Sequence, residues 1–379
     1  MKSINFRLRS DIKIGNGVLS NFTEEVANIN ISRPLILCDE NIMAGDYFLK
    51  IKPLLDEYCI DGIFYKLSLK GEPSYELLSK LIQDIDLSKI DGVVSIGGGS
   101  TIDIGKGLAL LAKNPSEPKT LKGFPINLNN PLPHITIPSI LGSGSEASFN
   151  AVFVDEAEGR KLGINYINNF PSLVLVDPEL TVSAPISAVI ASALDSMVHC
   201  VDSFGSTKST PVSRMFSIEG FRNIWNFLNE KDISSSSSRI QLAQASIHGI
   251  YGLMNSGDGP TNGFAYYFGV KDKIPHGMAG GMFLKDVMLW NHQQGYSDYE
   301  KLIQNTKTPT MDEFFLKFSS ILEKYSIPTL ANYGYKASDS EALSSEVASA
   351  LSGSFSGNPL LFNQDSAKWV LDQQFITRK

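Results

Sequence analysis

Between Asp91 and Leu111 the chain runs Gly92-Val93-Val94-Ser95-Ile96, then Gly97-Gly98-Gly99-Ser100, then an apolar stretch of helical length over 104–111. A short β-branched run bounded by glycine reads as a buried strand. A buried strand that turns directly into a helix belongs to a parallel sheet with crossover connections, and no other feature of the sequence restricts the fold as much. The surroundings repeat the unit. Leu35-Ile36-Leu37-Cys38 reads as a strand ending in Asp39, followed by a helical stretch to Leu55, and Gly62-Ile63-Phe64-Tyr65 reads as another strand. Pro73-Ser74-Tyr75-Glu76 opens a helix through Ile82 with Ser74 as its N-cap. Ile135-Thr136-Ile137-Pro138 and Leu173-Val174-Leu175-Val176 are two further strands.

Past Pro185 the strand signals almost vanish and long helical patterns follow over 189–203, 213–228 and 240–254. The serine run 234–238 reads as an exposed connection between helices. A chain of 379 residues exceeds the roughly 250–300 residues at which a single core stops growing. The expectation is an α/β nucleotide-binding domain over 1–184 and an all-α domain over 185–379. With 42% hydrophobic and 19% charged residues the composition is that of a globular protein. A net charge of −7 argues against nucleic acid as a partner. Cys38, Cys59 and Cys200 have no paired spacing and read as reduced thiols. The N-terminus lacks the apolar core of a signal peptide, and no uncharged apolar run approaches 18 residues. A cytoplasmic protein without a membrane partner is expected, with a homodimer left open.

Chemistry concentrates in a few places. Gly97, Gly98 and Gly99 let a backbone approach a pyrophosphate, Ser100 can cap the helix behind them, and that helix carries Asp103 and Lys106. A tight turn alone explains some such triplets, but the flanking strand and helix favour phosphate binding. Asp39 at a strand end can accept from a ribose diol, which favours NAD over NADP, although an ordinary loop carboxylate fits the position equally well. Ser139 and Ser143 lie in a second glycine- and serine-rich segment, and small hydroxyls there can reach a ribose or phosphate. Asp195 and His199, four apart on a helix, share one face and can begin a metal site or form a plain ion pair. His276 joins that face only if the fold brings it there.

Taken together these segments resemble the iron-type (group III) alcohol dehydrogenases. Gly97 to Lys106 resembles their GGGSxxDxxK, Pro138 to Glu146 their PTTAGTGSE, and Asp177-Pro178-Glu179-Leu180 their DPEL. Asp195 to Asp202 resembles DALxHAIE, and Pro275-His276-Gly277 resembles PHG. The resemblance implies a dehydroquinate synthase-like fold and an NAD(P)-dependent hydride transfer to or from an alcohol. It implies one divalent cation, iron or zinc, held by an Asp and three His. Asp195, His199 and His276 match three of these; the fourth position falls on Asn262, 14 residues before His276, with Tyr266 where many members have another histidine. An Asn oxygen binds iron or zinc less well than imidazole. Lys161 matches a family lysine near the cofactor, and His276, Lys161 and Tyr266 are the implied catalytic residues. Leu351 to Pro359 and the form HCxDS resemble a sugar-acid branch that includes the 3-deoxy-D-manno-octulosonate 8-oxidase, pointing to a sugar or sugar-acid hydroxyl and to carbohydrate biosynthesis. Two other readings share the fold: a sugar-phosphate cyclase, and a non-catalytic relative without metal.

Overall fold

The computed structural model describes residues 4–376 except Ile60, Lys70 and Asn305. Its strands are β1 (Asp11–Ile14), β2 (Pro34–Asp39), β3 (Ile63–Leu67), β4 (Gly92–Gly97), β5 (His134–Pro138), β6 (Asn150–Asp155), β7 (Arg160–Asn165) and β8 (Leu173–Val176). Six of them form a sheet in the order β1-β8-β5-β4-β2-β3, and every pairing in it is parallel. Helices α1 (Phe22–Val26), α2 (Asp46–Tyr58), α3 (Tyr75–Asp84), α4 (Gly99–Leu111) and α5 (Pro178–Thr181) accompany it. Both faces are covered. Ile36, Cys38, Val94 and Ile96 pack with Phe48, Ile51 and Leu55 of α2, while Leu35, Leu37 and Val93 pack with Leu78 and Leu81 of α3 and Ile104 and Leu108 of α4. Burial on both sides is why these strands are continuous apolar runs in the sequence. Ser74 Oγ accepts from Leu77 N at 3.1 Å and caps α3, as its sequence predicts.

The strand order sets a ligand site. The chain leaves β2 toward β3, then crosses back to β4 on the other side of β2 and continues toward β5. The reversal makes the β2–β4 boundary a topological switch point, where open parallel sheets bind ligands beyond the carboxyl ends of the strands.

The remaining helices are α6 (Ile186–Gly205), α7 (Pro211–Asn229), α8 (Ser236–Ser256), α9 (Pro260–Lys271), α10 (His276–Gln293), α11 (Tyr299–Ile303), α12 (Met311–Lys324), α13 (Ser340–Ala350), α14 (Ser352–Phe355) and α15 (Gln364–Gln373). Aromatic side chains build much of their core, with Trp225 of α7 against Phe314 and Phe318 of α12 and Phe264 of α9 against Phe283 of α10. By compactness Leu8–Pro185 and Ser234–Ala243 form one unit, and the segment through Arg7, Ile186–Ile233 and the chain from Gln244 form the other. Among the described residues α6 alone is long and apolar enough to cross a membrane. It is mostly buried and carries Asp195, His199 and Asp202 among its buried residues, which marks it as a core helix.

Two local expectations are corrected, and one element is new. Helix α4 begins at Gly99 with Gly98 as its N-cap and no side-chain cap, so Ser100 lies inside the first turn instead of capping it. The serine run is not an exposed connection: Ser235 Oγ accepts from Ser238 N at 3.2 Å, and Ser236 opens α8. The antiparallel pair β6–β7 was not anticipated. In β6 only alternate residues are buried, a half-covered pattern that gives no apolar run to read.

Candidate functional site

In the α/β unit the two sides of the switch point carry the residues the sequence singled out. Cys38 pairs with Ile96 across β2 and β4, so Asp39 comes level with Gly97. Asp39 Oδ1 accepts from the backbone and side chain of Asn41, both at 2.9 Å, and Oδ2 has no partner among the described residues. The second segment lies beside the glycines: Ser139 N donates to Gly97 O at 2.9 Å and continues the β4–β5 ladder. A Cβ built on Gly99 would stand 2.6 Å from Ser143 Oγ, and one on Gly97 2.5 Å from Thr101 Oγ1. A Cβ on Gly98 would have 3.8 Å to its nearest neighbour, Ile140. Gly97 and Gly99 are therefore required by the protein's own packing, whereas the space beside Gly98 is open.

Asp103 and Lys106 fasten the two loops together. Asp103 accepts from the Ser145 hydroxyl, and from Val152 N at 3.0 Å. Lys106, fully buried, pairs with Asp103 at 3.1 Å and donates to the Asn150 carbonyl. Burial lowers the Lys106 pKa, against the opposing pull of Asp103. His134, at the start of β5, has Nε2 2.8 Å from Ser95 Oγ, and burial lowers its pKa to about 3. Lys161 lies on β7 in an ion pair with Glu72.

In the helical unit three elements converge. Asp195 and His199 lie one turn apart on α6, with His199 Nε2 3.3 Å from Asp195 Oδ1. His276, the first residue of α10, brings Nε2 to 3.7 Å from the same oxygen. The approach depends on glycine: a Cβ on Gly277 would land on the Ala191 carbonyl and 2.8 Å from Asp195 Cβ, and one on Gly281 would meet Leu194. Asn262 of α9 is 2% exposed and sets Oδ1 3.0 Å from His276 Nε2. The Tyr266 ring lies 4.8 Å from the His276 ring, centroid to centroid.

Two further carboxylates stand behind this centre: Asp202, inside the motif that begins at Asp195, and Asp258, four residues before Asn262. Asp202 Oδ2 accepts from Gly259 N at 3.2 Å and Asn262 N at 2.8 Å, serving α9 as an N-cap borrowed from α6. Burial pushes its carboxyl up to about 7. Two turns beyond Asp195, it lies on the same helix face, and that spacing could have revealed it. Asp258 accepts from Ser354 Oγ at 2.8 Å. No spacing signal could have found it, because Ser354 is 96 residues away.

The contacts form an open chain, His199–Asp195–His276–Asn262, with a carboxamide as one of four members. Among the described residues no group of three or more His, Cys, Asp and Glu side chains is placed to hold a metal ion. The separations of 3.0–3.7 Å nonetheless match donors that share one ion. Ligand distances of 2.0–2.2 Å in a tetrahedron place donors about 3.4 Å apart. The four residues thus offer a divalent cation two imidazoles and two oxygens, with three of their mutual separations in that range.

A family model described as iron-containing alcohol dehydrogenase matches residues 10–178, and one for the C-terminal part of the same family matches 189–375. Alcohol dehydrogenase 4 of Schizosaccharomyces pombe is 27% identical over 73% of this chain and 66% of its own length. The chain thus spans just under two thirds of that relative. A 4-hydroxybutyrate dehydrogenase of Clostridium kluyveri is 25% identical over 80% of this chain and 85% of its own. Among solved structures, sulfoacetaldehyde reductase from Bifidobacterium kashiwanohense in complex with NAD+ superposes with a TM-score of 0.88 at 16% identity, covering all of both chains. At that identity the likeness concerns the fold.

Proposed function

This chain belongs to the iron-containing alcohol dehydrogenase family, and from that premise we propose that it moves a hydride reversibly between an alcohol and NAD. The observation that carries the reading is the single oxygen, Asp195 Oδ1, approached by both His199 and His276. Residues Asp195, His199 and His276 would hold a divalent cation, iron as the family's name suggests or zinc, with the Asn262 oxygen alongside. Such a cation polarises an alcohol oxygen and lowers its pKa, and nicotinamide supplies the hydride chemistry.

The chain's own groups supply binding and orientation. Backbone N–H groups at Gly97–Gly99 and the start of α4 would hold the pyrophosphate. The unpartnered Oδ2 of Asp39 would accept from the adenine ribose and repel a 2′-phosphate, which supports NAD over NADP. Asp103 and Lys106 brace this cradle. Ser139 and Ser143 line it. Tyr266 packs its ring at a tilt against His276 and would orient that imidazole. Lys161 is given no step, because Glu72 already neutralises its ammonium. The three unpaired thiols support a reducing, cytoplasmic location.

For substrate we favour a primary alcohol on a short chain, in line with the alcohol and 4-hydroxybutyrate dehydrogenases among the relatives. A sugar-acid hydroxyl is the second reading. It is favoured by Ser354, which lies in the Leu351 to Pro359 stretch and bonds Asp258 behind the candidate centre. The matched families are dehydrogenases, so neither a cyclase nor a non-catalytic role is favoured. NADH formation from NAD+ with 4-hydroxybutyrate, propane-1,3-diol and a 3-deoxy sugar acid tests the proposal. Turnover of none of them, with iron or zinc present, would refute it.

A further inference from the structure

We propose that Asp202 is a positioning residue: it sets how close the first turn of α9 comes to α6, and so delivers the Asn262 oxygen to His276. This inference rests on the cation reading above. The start of α9 has no cap of its own. Its N-cap is Gly259, which makes no side-chain hydrogen bond, and Pro260 at the next position has no N–H to satisfy. A single oxygen from α6 serves both halves of a capping box. Asp202 Oδ2 accepts from the N-cap N–H of Gly259 at 3.2 Å and from the N3 N–H of Asn262 at 2.8 Å. The residue clamped by its backbone is the same one whose side chain sets Oδ1 3.0 Å from His276 Nε2. Asp195, His199 and Asp202 recur at helical spacing on one face of α6. One helix therefore carries two members of the centre and the clamp for a third.

The clamp is short, and the chain is built around its length. A Cβ on Gly259 would stand 2.8 Å from Asp202 Cγ and 3.2 Å from Asp202 Cβ, so α9 starts as near to α6 as bare backbone allows. Asp202 and Asn262 are both buried, and neither side chain has solvent to retreat into. Farther along, the Phe264 ring packs 4.7 Å from that of Phe283 in α10, centroid to centroid. That packing holds the body of α9, while Asp202 sets where its first turn lies. In the motif that the stretch from Asp195 resembles, the position of Asp202 is a Glu, one methylene longer. The position of Asn262 is a His, whose Nε2 stands one bond farther from the backbone than an amide oxygen. The two shortenings match: a shorter clamp draws the backbone in, and a shorter donor then reaches the centre.

Two readouts on metal-stripped full-length protein test this. One is the pair of dissociation constants for Mn2+ and Zn2+, by competition with a chelator. The other is the His276 Nε2 resonance by 15N NMR, which reports the contact with Asn262 without any ion. Asp202→Asn keeps an accepting oxygen at the same reach and should stay within a few-fold of the parent. Asp202→Glu keeps the cap but pushes the start of α9 outward. It should melt near the parent, shift the His276 resonance and weaken both ions about 10- to 100-fold. Adding Asn262→His to it should bring Zn2+ back to the parent's affinity or tighter. Phe268→Leu, which loosens α9 against Phe283 instead, should lower Tm and leave both readouts unchanged. Should Asp202→Glu not fold, Gly259→Ala, which forces the same gap open from the other side, must shift the resonance and weaken binding several-fold. Folded Asp202→Glu, or Gly259→Ala in its place, with the parent's resonance and affinities would overturn the proposal. An equal loss of affinity in Asp202→Asn or Phe268→Leu would overturn it too, by making charge or helix stability the determinant. A parent that binds neither ion would overturn the cation reading instead, and the His276 resonance would then decide the positioning role alone.

Discussion

Gly98→Val separates folding from cofactor binding more cleanly than any other substitution at the glycine triplet. Gly98 is the N-cap of α4, with φ −76° and ψ −178°, extended backbone that valine also adopts. A Cβ there comes no closer than 3.8 Å to another heavy atom of the protein, so no overpacking is expected. Exchanging an N-cap glycine for valine costs about 1 kcal/mol, a shift of only about 1 °C in Tm for a chain of 379 residues. If the pyrophosphate lies over this turn, the valine methyls occupy the volume of a phosphate oxygen. They would break one or two charge-assisted hydrogen bonds worth about 1.5–3 kcal/mol each. The dissociation constant for NADH should then rise about 100-fold, since about 1.4 kcal/mol is tenfold. Fluorescence titration with NADH, paired with thermal melting, reads both quantities on one sample. A variant that melts near the parent and binds NADH as tightly would show that the phosphates lie elsewhere. By contrast, Gly97→Val and Gly99→Val should lower Tm much further, because their side chains meet Thr101 and Ser143.

Three other outcomes are expected. Asp39→Gly should narrow the preference for NADH over NADPH by about tenfold, measured as the ratio of dissociation constants; an unchanged ratio would remove Asp39 from the ribose site. Gly277→Ala should cost about 1–3 kcal/mol of stability and weaken divalent binding, because its methyl presses α10 away from Ala191 and Asp195; chemical denaturation and a metal titration read the two effects, and parental values in both would contradict the packing. His134 should make the fold acid-sensitive: with a folded pKa of about 3 against an ordinary 6.5, the unfolded chain binds more protons between these values, so stability falls as pH drops from about 6.5 toward 3. His134→Gln should flatten stability over that window, and an unchanged slope in acid denaturation would refute the assignment.

What the sequence revealed was what is local. The run from Gly92 to Leu111 announces β4, the turn and α4, because strand burial, glycine and helix length all act within 20 residues. Asp195 with His199 was legible for the same reason. The hairpin β6–β7 was not, since β6 buries alternate residues and β7 contains Arg160, Lys161 and Asn165. Lys161 looks like a loop cation until its partner Glu72 comes alongside. Asp103 and Lys106 stand in the motif, but that their side chains tie α4 to Ser145, Asn150 and Val152 depends on partners 42 to 49 residues away. Asp258 could not be placed because its partner Ser354 is brought to it by tertiary packing alone.

The most direct test of the central claim is the rate of NAD+ reduction by metal-stripped protein, titrated with Fe2+ or Zn2+ in the presence of an alcohol that it oxidises. The account predicts almost no NADH without metal and a rate that rises and saturates as one ion binds per chain, lost again in Asp195→Ala and His199→Ala. Full-rate oxidation by stripped protein, or reloaded activity that survives both substitutions, would contradict it.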